Sequence, residues 1–318
     1  MCNAPDGRPS LVCTLYPTEN CIDMSTMSPL PLEQAPVRSQ HAAVNGIDLH
    51  YIEAGPPDGR AVILLHGFPE FCEGWRHQLP ALAAAGFRVI APDQRGYNLS
   101  SKPRAIAAYD LDVVAHDVLA LANHLGLTSL RLVGHDWGAS VAWWLATTDG
   151  GRLAKMAVLN APHPVLWRRA MRTNRAQRRK SWYVHLFRLP WLPELGLRAN
   201  NFKALQRSLL DSSLPGAFSA ADLEAYRRAW AQPGALSAMI NWYRALLRKP
   251  LAAEVPGIAV DTLMIWGCND KFGDVSVAEE SIKLCAHGRA VYFDDATHWV
   301  HHEQPERVNS LLIEFLRS

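Results

Sequence analysis

One stretch constrains this chain more than any other: Leu132-Val133-Gly134-His135-Asp136-Trp137-Gly138-Ala139-Ser140. An apolar run from Leu130 to Val133 leads in, and a segment of small and apolar residues, Gly138 to Thr147, leads out. The G-x-D-x-G spacing between them is that of a strand-turn-helix elbow, which exposes its middle residue, usually a serine, at the end of a buried strand. Glycine at 134 and 138 lets the backbone turn sharply where a Cβ would collide with the other arm. The middle residue of such an elbow takes a positive φ, which aspartate tolerates better than most side chains. It also stands at a helix N-terminus, where free amides and the helix dipole favour a carboxylate. Two readings of Asp136 stand side by side: a helix N-cap, the commoner use of an aspartate there, and an ionised nucleophile.

The rest of the chain supplies the sheet that an elbow needs. Residues 40–44 and 47–53 read as two strands around the turn Asn45-Gly46, a strong hairpin signal. Residues 61–65, 87–91, 130–133, 154–159, 262–266 and 290–293 are short apolar runs, as expected of strands buried on both faces of a parallel sheet. Helical spacing occupies 75–85, 109–125 and 305–316. From 165 to about 249 the alternation stops, and the chain reads as helices rich in Trp, Tyr, Arg and Leu. The expected organisation is therefore an α/β core over 37–162 and 250–318, interrupted by a helical insert over 163–249. Residues 1–36, rich in Pro, Ser, Thr and Asn, read as a disordered extension, with Met24 and Met27 as alternative starts.

Bulk properties narrow the function classes. With half of 318 residues apolar, a sizeable core is available. A net charge of +2 points to neither nucleic acid nor a strongly acidic substrate. No apolar run is long enough for a transmembrane helix or a signal peptide. Six scattered cysteines without a C-x-x-C pair fit a reducing, cytoplasmic compartment.

A carboxylate nucleophile must be released from its own ester, which requires a base to activate water. His298, after the last strand in Asp295-Ala296-Thr297-His298-Trp299, is the best placed of thirteen histidines. His301 and His302 are close by but fall in the approach to Pro305. His135 packs under the elbow on this reading, and His66 orders the loop beneath the site. A base needs an acid to fix its tautomer. Asp270, in Trp266-Gly267-Cys268-Asn269-Asp270, suits that role, with Asp274 the nearest competitor; Asp294 and Asp295 end a strand. Oxyanion donors are expected from the amides of Trp137, just after the nucleophile, and Phe68, in His66-Gly67-Phe68-Pro69.

Taken together, these motifs resemble the epoxide hydrolase branch of the α/β-hydrolase superfamily. The resemblance rests on His66-Gly67-Phe68-Pro69-Glu70 with Trp75-Arg76, Asp93-Gln94-Arg95-Gly96-Tyr97, Gly134-His135-Asp136-Trp137-Gly138, Ser181-Trp182-Tyr183, Asn241-Trp242-Tyr243-Arg244 and the contexts of Asp270 and His298. It runs from about Val37 to the C-terminus. It implies an α/β-hydrolase fold, with a mostly parallel eight-stranded sheet flanked by helices and the helical insert as a cap. The order Asp136, Asp270, His298 is that superfamily's order of nucleophile, acid and base. It further implies that Tyr183 and Tyr243 point from the cap at Asp136. An epoxide opens to an alkoxide, and a phenol can donate to that oxygen as it forms; without the resemblance both tyrosines read as core aromatics. His66, Pro69, Trp75, Phe187 and Trp299 are expected around the substrate. No cofactor or metal is implied. The expected partners are a small apolar epoxide and water, and a homodimer is compatible with them. One departure is Asn98-Leu99, where many members have glycine after Arg-Gly-Tyr.

The nearest rival is a haloalkane or haloacid dehalogenase, which shares the aspartate and needs N–H donors for a halide, for which Trp137 and Trp75 would serve. A haloacid enzyme would hold its substrate carboxylate with arginines just after the nucleophile, where Trp137 and Gly138 stand, and both tyrosines would be idle. A serine esterase lacks its serine. A non-catalytic ligand-binding relative would have lost catalytic positions that are all present. The run from Arg168 to Lys180 holds seven basic residues and no acidic one. It reads as a solvated helix face, or as a contact for a membrane surface or a fatty-acid carboxylate.

Overall fold

The computed structural model describes residues 36–248 and 255–318. The expected extension over 1–36, apart from Pro36, lies outside the described residues, as does the expected boundary at 249 and 250.

Eight strands form one sheet in the order β1-β2-β4-β3-β5-β6-β7-β8. β1 (Arg38–Val44) and β2 (Ile47–Ala54) are the hairpin. Its turn places Asn45 and Gly46 both at positive φ, which a tight two-residue connection requires. β2 pairs antiparallel with β4, and the pairs from there across the sheet are parallel. These strands are β3 (Arg60–Leu65), β4 (Phe87–Pro92), β5 (Leu130–His135), β6 (Leu153–Leu159), β7 (Asp261–Gly267) and β8 (Gly288–Phe293). The continuous apolar runs have a physical cause: helices cover both faces, and Val62–Leu65, Leu132, Val133, Met156–Leu159 and Leu263–Trp266 are wholly buried. Each such side chain contributes roughly 1.5–3 kcal/mol on burial.

α1 (Gln78–Ala84), α2 (Leu111–His124) and α3 (Trp137–Thr148) follow β3, β4 and β5. The helix expected at 75–85 starts later, after a short turn at Cys72–Trp75. Pro80 explains this, because its ring would clash with a helical carbonyl one turn earlier. The insert after β6 comprises α4 (Pro164–Thr173), α5 (Arg175–Lys180), α6 (Trp182–Phe187), α7 (Leu192–Ser212), α8 (Ala220–Trp230) and α9 (Ala235–Leu246). α7 is two helices meeting at a kink, where Asn200, Asn201 and Phe202 have positive φ. The chain then returns for β7, α10 (Val275–Ile282), β8, α11 (Val300–Glu303) and α12 (Pro305–Arg317). α10 was not expected from the pattern; Asp274 caps it by accepting from the Ser276 amide.

The insert is tied to the strand ends beneath it. Trp242 Nε1 donates to the Arg95 carbonyl at 3.0 Å, and Trp230 Nε1 donates to the Pro69 carbonyl at 2.6 Å. These bonds fix α8 and α9 over the loops after β3 and β4, so that side chains on the lower face of the insert look onto the elbow. Among the described residues, no helix is long and apolar enough to cross a membrane.

Candidate active site

Asp136 sits between β5 and α3 at φ 49° and ψ −116°. The framing glycines are sterically required. A Cβ on Gly134 would lie 2.5 Å from the Gly138 carbonyl oxygen, and one on Gly138 would lie 1.9 Å from the Leu65 carbonyl oxygen of β3. Asp136 occupies the N-cap position of α3, yet its side chain accepts no capping hydrogen bond. Oδ1 instead accepts from the Phe68 amide at 2.8 Å. Gly67 permits that approach, since a Cβ there would come within 2.5 Å of Oδ1.

His298 Nε2 lies 3.8 Å from Asp136 Oδ2, and His298 Nδ1 lies 2.9 Å from Asp270 Oδ2. Asp270 is fully enclosed. Its Oδ1 accepts from the amides of Phe272 (2.6 Å) and Gly273 (2.9 Å), and its Oδ2 accepts from Asn160 Nδ2 (2.8 Å). Burial raises the Asp270 pKa, but the charge of His298 and these hydrogen bonds outweigh it and hold the carboxyl below its ordinary value. Burial likewise opposes protonation of His298, and Asp270, helped by the charge of Asp136, overcomes it and raises the imidazole above its ordinary value. The two directions agree on an ion pair. The competitors are elsewhere: Asp274 caps α10, and Asp295 pairs with Arg307 at 2.8 Å.

Tyr183 on α6 and Tyr243 on α9 come down edge-on to each other, their ring centroids 5.8 Å apart. Tyr243 packs edge-on against Trp137 (5.0 Å) and Phe68 (5.4 Å). Burial first, with the charge of Asp136 also contributing, raises both phenols well above their ordinary value, so both are protonated donors. Asp136, His298, Tyr183 and Tyr243 share a cavity of about 900 Å³ whose wall includes Phe68, Pro69, Phe187, Phe272 and Trp299. The same four residues also border a smaller chamber of about 50 Å³ beside Trp137, Asn160 and Trp167. Asp136 therefore stands where the two spaces meet.

Two expected pocket residues do not reach this cavity. His66 is buried beneath it, with Nε2 accepting from the Gln94 amide at 3.0 Å and Nδ1 facing the Gly67 carbonyl at 3.0 Å. Burial lowers its pKa, which suits a neutral ring that orders the loop. Trp75 is also fully buried, its ring tilted against that of His301 at 5.1 Å between centroids. Both belong to loops whose backbone reaches the site while these side chains point into the core.

The sequence alone assigns no role to Asn160 or Glu70. Asn160 ends β6 at φ 46°, accepts from the Gly267 amide at 2.9 Å and donates to Asp270. Glu70 lies buried under the elbow, accepting from Tyr226 Oη and His302 Nε2, both at 2.7 Å. It also meets His135 Nδ1 at 3.0 Å, and His135 Nε2 meets the His298 carbonyl at 3.0 Å. The signal for Asn160 was its strand-end position; Glu70 stands in the motif His66-Gly67-Phe68-Pro69-Glu70, but nothing local gave its side chain a partner. Two groups among the described residues have metal-ligand chemistry, Glu70-His135-His301 and His50-Cys72-Asp93, and neither lines the cavity.

The family model of the alpha/beta hydrolase fold matches residues 60–305, which places the chain in that class. AB hydrolase superfamily protein YfhM of Bacillus subtilis is 43% identical over 282 residues, covering 89% of this chain and 99% of that one. Epoxide hydrolase A of Mycobacterium tuberculosis is 33% identical, covering 86% and 95%. Epoxide hydrolase 2 of Caenorhabditis elegans is also 33% identical, covering 86% and 78%. The solved structure of Bacillus megaterium epoxide hydrolase in complex with an inhibitor superposes with a TM-score of 0.80 at 31% identity, covering 88% of this chain and 100% of that one. Within the α/β-hydrolase superfamily, the chain belongs to the epoxide hydrolases.

Proposed function

We propose that the protein opens epoxides to vicinal diols through an ester of Asp136. The observation that carries this reading is the uncapped Asp136 carboxylate at the floor of an apolar cavity, faced by an imidazole 3.8 Å away and overhung by two phenols. In the first step Asp136 Oδ2 attacks an epoxide carbon and the carbon–oxygen bond breaks. The oxygen, hydrogen-bonded by Tyr183 and Tyr243, takes a proton from one of them, leaving a hydroxyalkyl ester and a tyrosinate. A departing halide would need no proton, so the phenols favour oxygen as the leaving atom over the dehalogenase reading.

In the second step His298 takes a proton from water, and the hydroxide attacks the ester carbonyl carbon. Oδ1 becomes the oxyanion, stabilised by the Phe68 amide and, on this reading, the Trp137 amide. Collapse breaks the bond to the ester oxygen, which is protonated by His298; the acid proton of Asp136 returns to the tyrosinate. Asp270 holds the tautomer of His298 through Nδ1. Electrostatics link the two steps. Esterification removes the charge of Asp136, one of the groups that hold a proton on His298. The base is thereby freed at the stage that needs it.

The substrate in this reading is a small to medium apolar epoxide, matched to the aromatic cavity wall, with water as the second reactant. A cytoplasmic location and association as a homodimer are parts of the same proposal. The direct test is intact-mass analysis of His298→Gln after mixing with an apolar epoxide. A mass gain equal to the epoxide supports the proposal; unmodified protein together with undiminished diol formation overturns it.

A further inference from the structure

From Pro164 to Leu210 the chain carries eleven basic residues against one acid, Glu194. That acid is engaged, because Arg244 Nη1 donates to it at 2.7 Å. The same segment exposes large apolar side chains that a folded surface ordinarily covers: Trp182 is 65% exposed, Trp191 62% and Leu195 59%, with Leu186, Leu189 and Leu192 also exposed. Trp182, Leu186 and Leu192 belong at once to the surface and to the wall of the large cavity, so the cavity mouth opens on this face. Cations alternate with the apolar groups. Arg179 shares the cavity rim with Trp182, Arg188 shares a shallow groove with Trp191, and Arg198 lies one helical turn after Leu195. None of these three exposed arginines is paired with a carboxylate among the described residues.

We propose that the exposed apolar and basic surface of α5, α6 and the first half of α7 docks on an anionic lipid surface. Tryptophan and leucine backed by lysine and arginine is the composition that settles at a headgroup boundary, the rings and aliphatic chains entering it and the cations meeting lipid phosphate. Cytoplasmic leaflets carry the negative charge that attracts such cations. A second protein would have to meet the exposed arginines with matching acids, and the exposed acid that this chain carries on α7 is Asp211 alone, on the wall of the cavity. Docking does not rest on the hydrolase reading, and its test needs no turnover.

The experiment is co-sedimentation of the full chain with sucrose-loaded vesicles of phosphatidylcholine, alone or mixed with phosphatidylglycerol. Binding is expected to the mixed vesicles, weakening as salt is added, and not to phosphatidylcholine alone. The double variant Arg188→Gln/Arg198→Gln should lower the partition coefficient about 25-fold, at about fivefold for each arginine removed. The double variant Trp191→Ser/Leu195→Ser should also lose binding, while both variants keep wild-type circular dichroism. Equal partition into both vesicle types, or none into either, overturns the proposal. So does light scattering that shows a dimer dissociated by Trp191→Ser/Leu195→Ser, since a second copy would then be the occupant of this face.

Discussion

Oδ1 of Asp136 accepts the Phe68 amide at 2.8 Å, while Oδ2 is the oxygen that faces His298 Nε2 at 3.8 Å. The two carboxylate oxygens are thus differentiated before any substrate arrives. One accepts a backbone amide, and the other is the oxygen that attacks in the proposed mechanism. In a single turnover in ¹⁸O-water, the diol should therefore receive its new oxygen from Asp136 and remain unlabelled, with the label in the Asp136 peptide. Label in the diol of the first turnover would mean that water attacks the epoxide directly. Asp136→Ala should abolish turnover.

The phenols act as a pair, so removing one should hurt less than removing both. Each of Tyr183→Phe and Tyr243→Phe should lower the rate of ester formation by about tenfold to a hundredfold, and the double variant by more than either, up to the ~10⁴ of full general-acid catalysis. Rapid-quench measurement of ester formation separates this from hydrolysis of the ester, which the substitutions should leave nearly unchanged. Because both phenols are held above their ordinary pKa of 10.0, no alkaline loss from the tyrosines should appear below that pH.

For pH dependence, the relevant form of His298 is the neutral one, which accepts a proton from water. Its pKa in the resting enzyme lies above the ordinary 6.5, and esterification of Asp136 removes one cause of that shift. Ester hydrolysis should accordingly fall on the acid side, with an apparent pKa below that of His298 in the free enzyme by NMR. Stability has the opposite sign for this group. A raised histidine contributes fully below its unfolded pKa and loses the contribution as pH rises through the folded value. Asp270, whose pKa is depressed, contributes above its unfolded value and loses the contribution as pH falls through the folded one. The Tm gap between wild type and Asp270→Asn should be widest between those limits and should shrink on both sides. A gap that does not vary with pH would rule out the ion pair as its source.

What the sequence exposed and what it hid divide along a physical line. Strands β3 to β7 were legible because each is a short apolar run buried on both faces, and β1 and β2 were legible from the Asn45-Gly46 turn between them; β8 is a half-exposed edge strand. Gly134, Gly138 and Gly67 were legible because backbone crowding leaves no alternative residue. Asp270 and His298 followed from strand ends, where side chains must meet in an open α/β sheet. The orientation of His66 and Trp75 was not legible, since a loop position does not say which way its side chain turns. Glu70 was hidden for a related reason: its partners His135, Tyr226 and His302 lie far along the chain and meet it only after folding.

Asn160 supplies the last prediction. It bridges two strand ends, holding the Gly267 amide with its oxygen and Asp270 Oδ2 with its nitrogen. Asp270 Oδ2 is also the oxygen that faces His298, so in the proposed mechanism Asn160 positions the base through Asp270. Asn160→Ala removes one charge-assisted hydrogen bond, typically ~1.5–3 kcal/mol, and exchanges a residue comfortable at positive φ for one that is not. The expected result is ester hydrolysis slowed by roughly tenfold to a hundredfold. Ester formation should be spared, because the side-chain hydrogen bonds of Asn160 go to Gly267 and Asp270 and not to Asp136 or the phenols. The ester would then accumulate in the steady state, where intact-mass analysis detects it. A purely structural role would lower Tm and slow both steps alike, and that outcome would remove Asn160 from the catalytic arrangement.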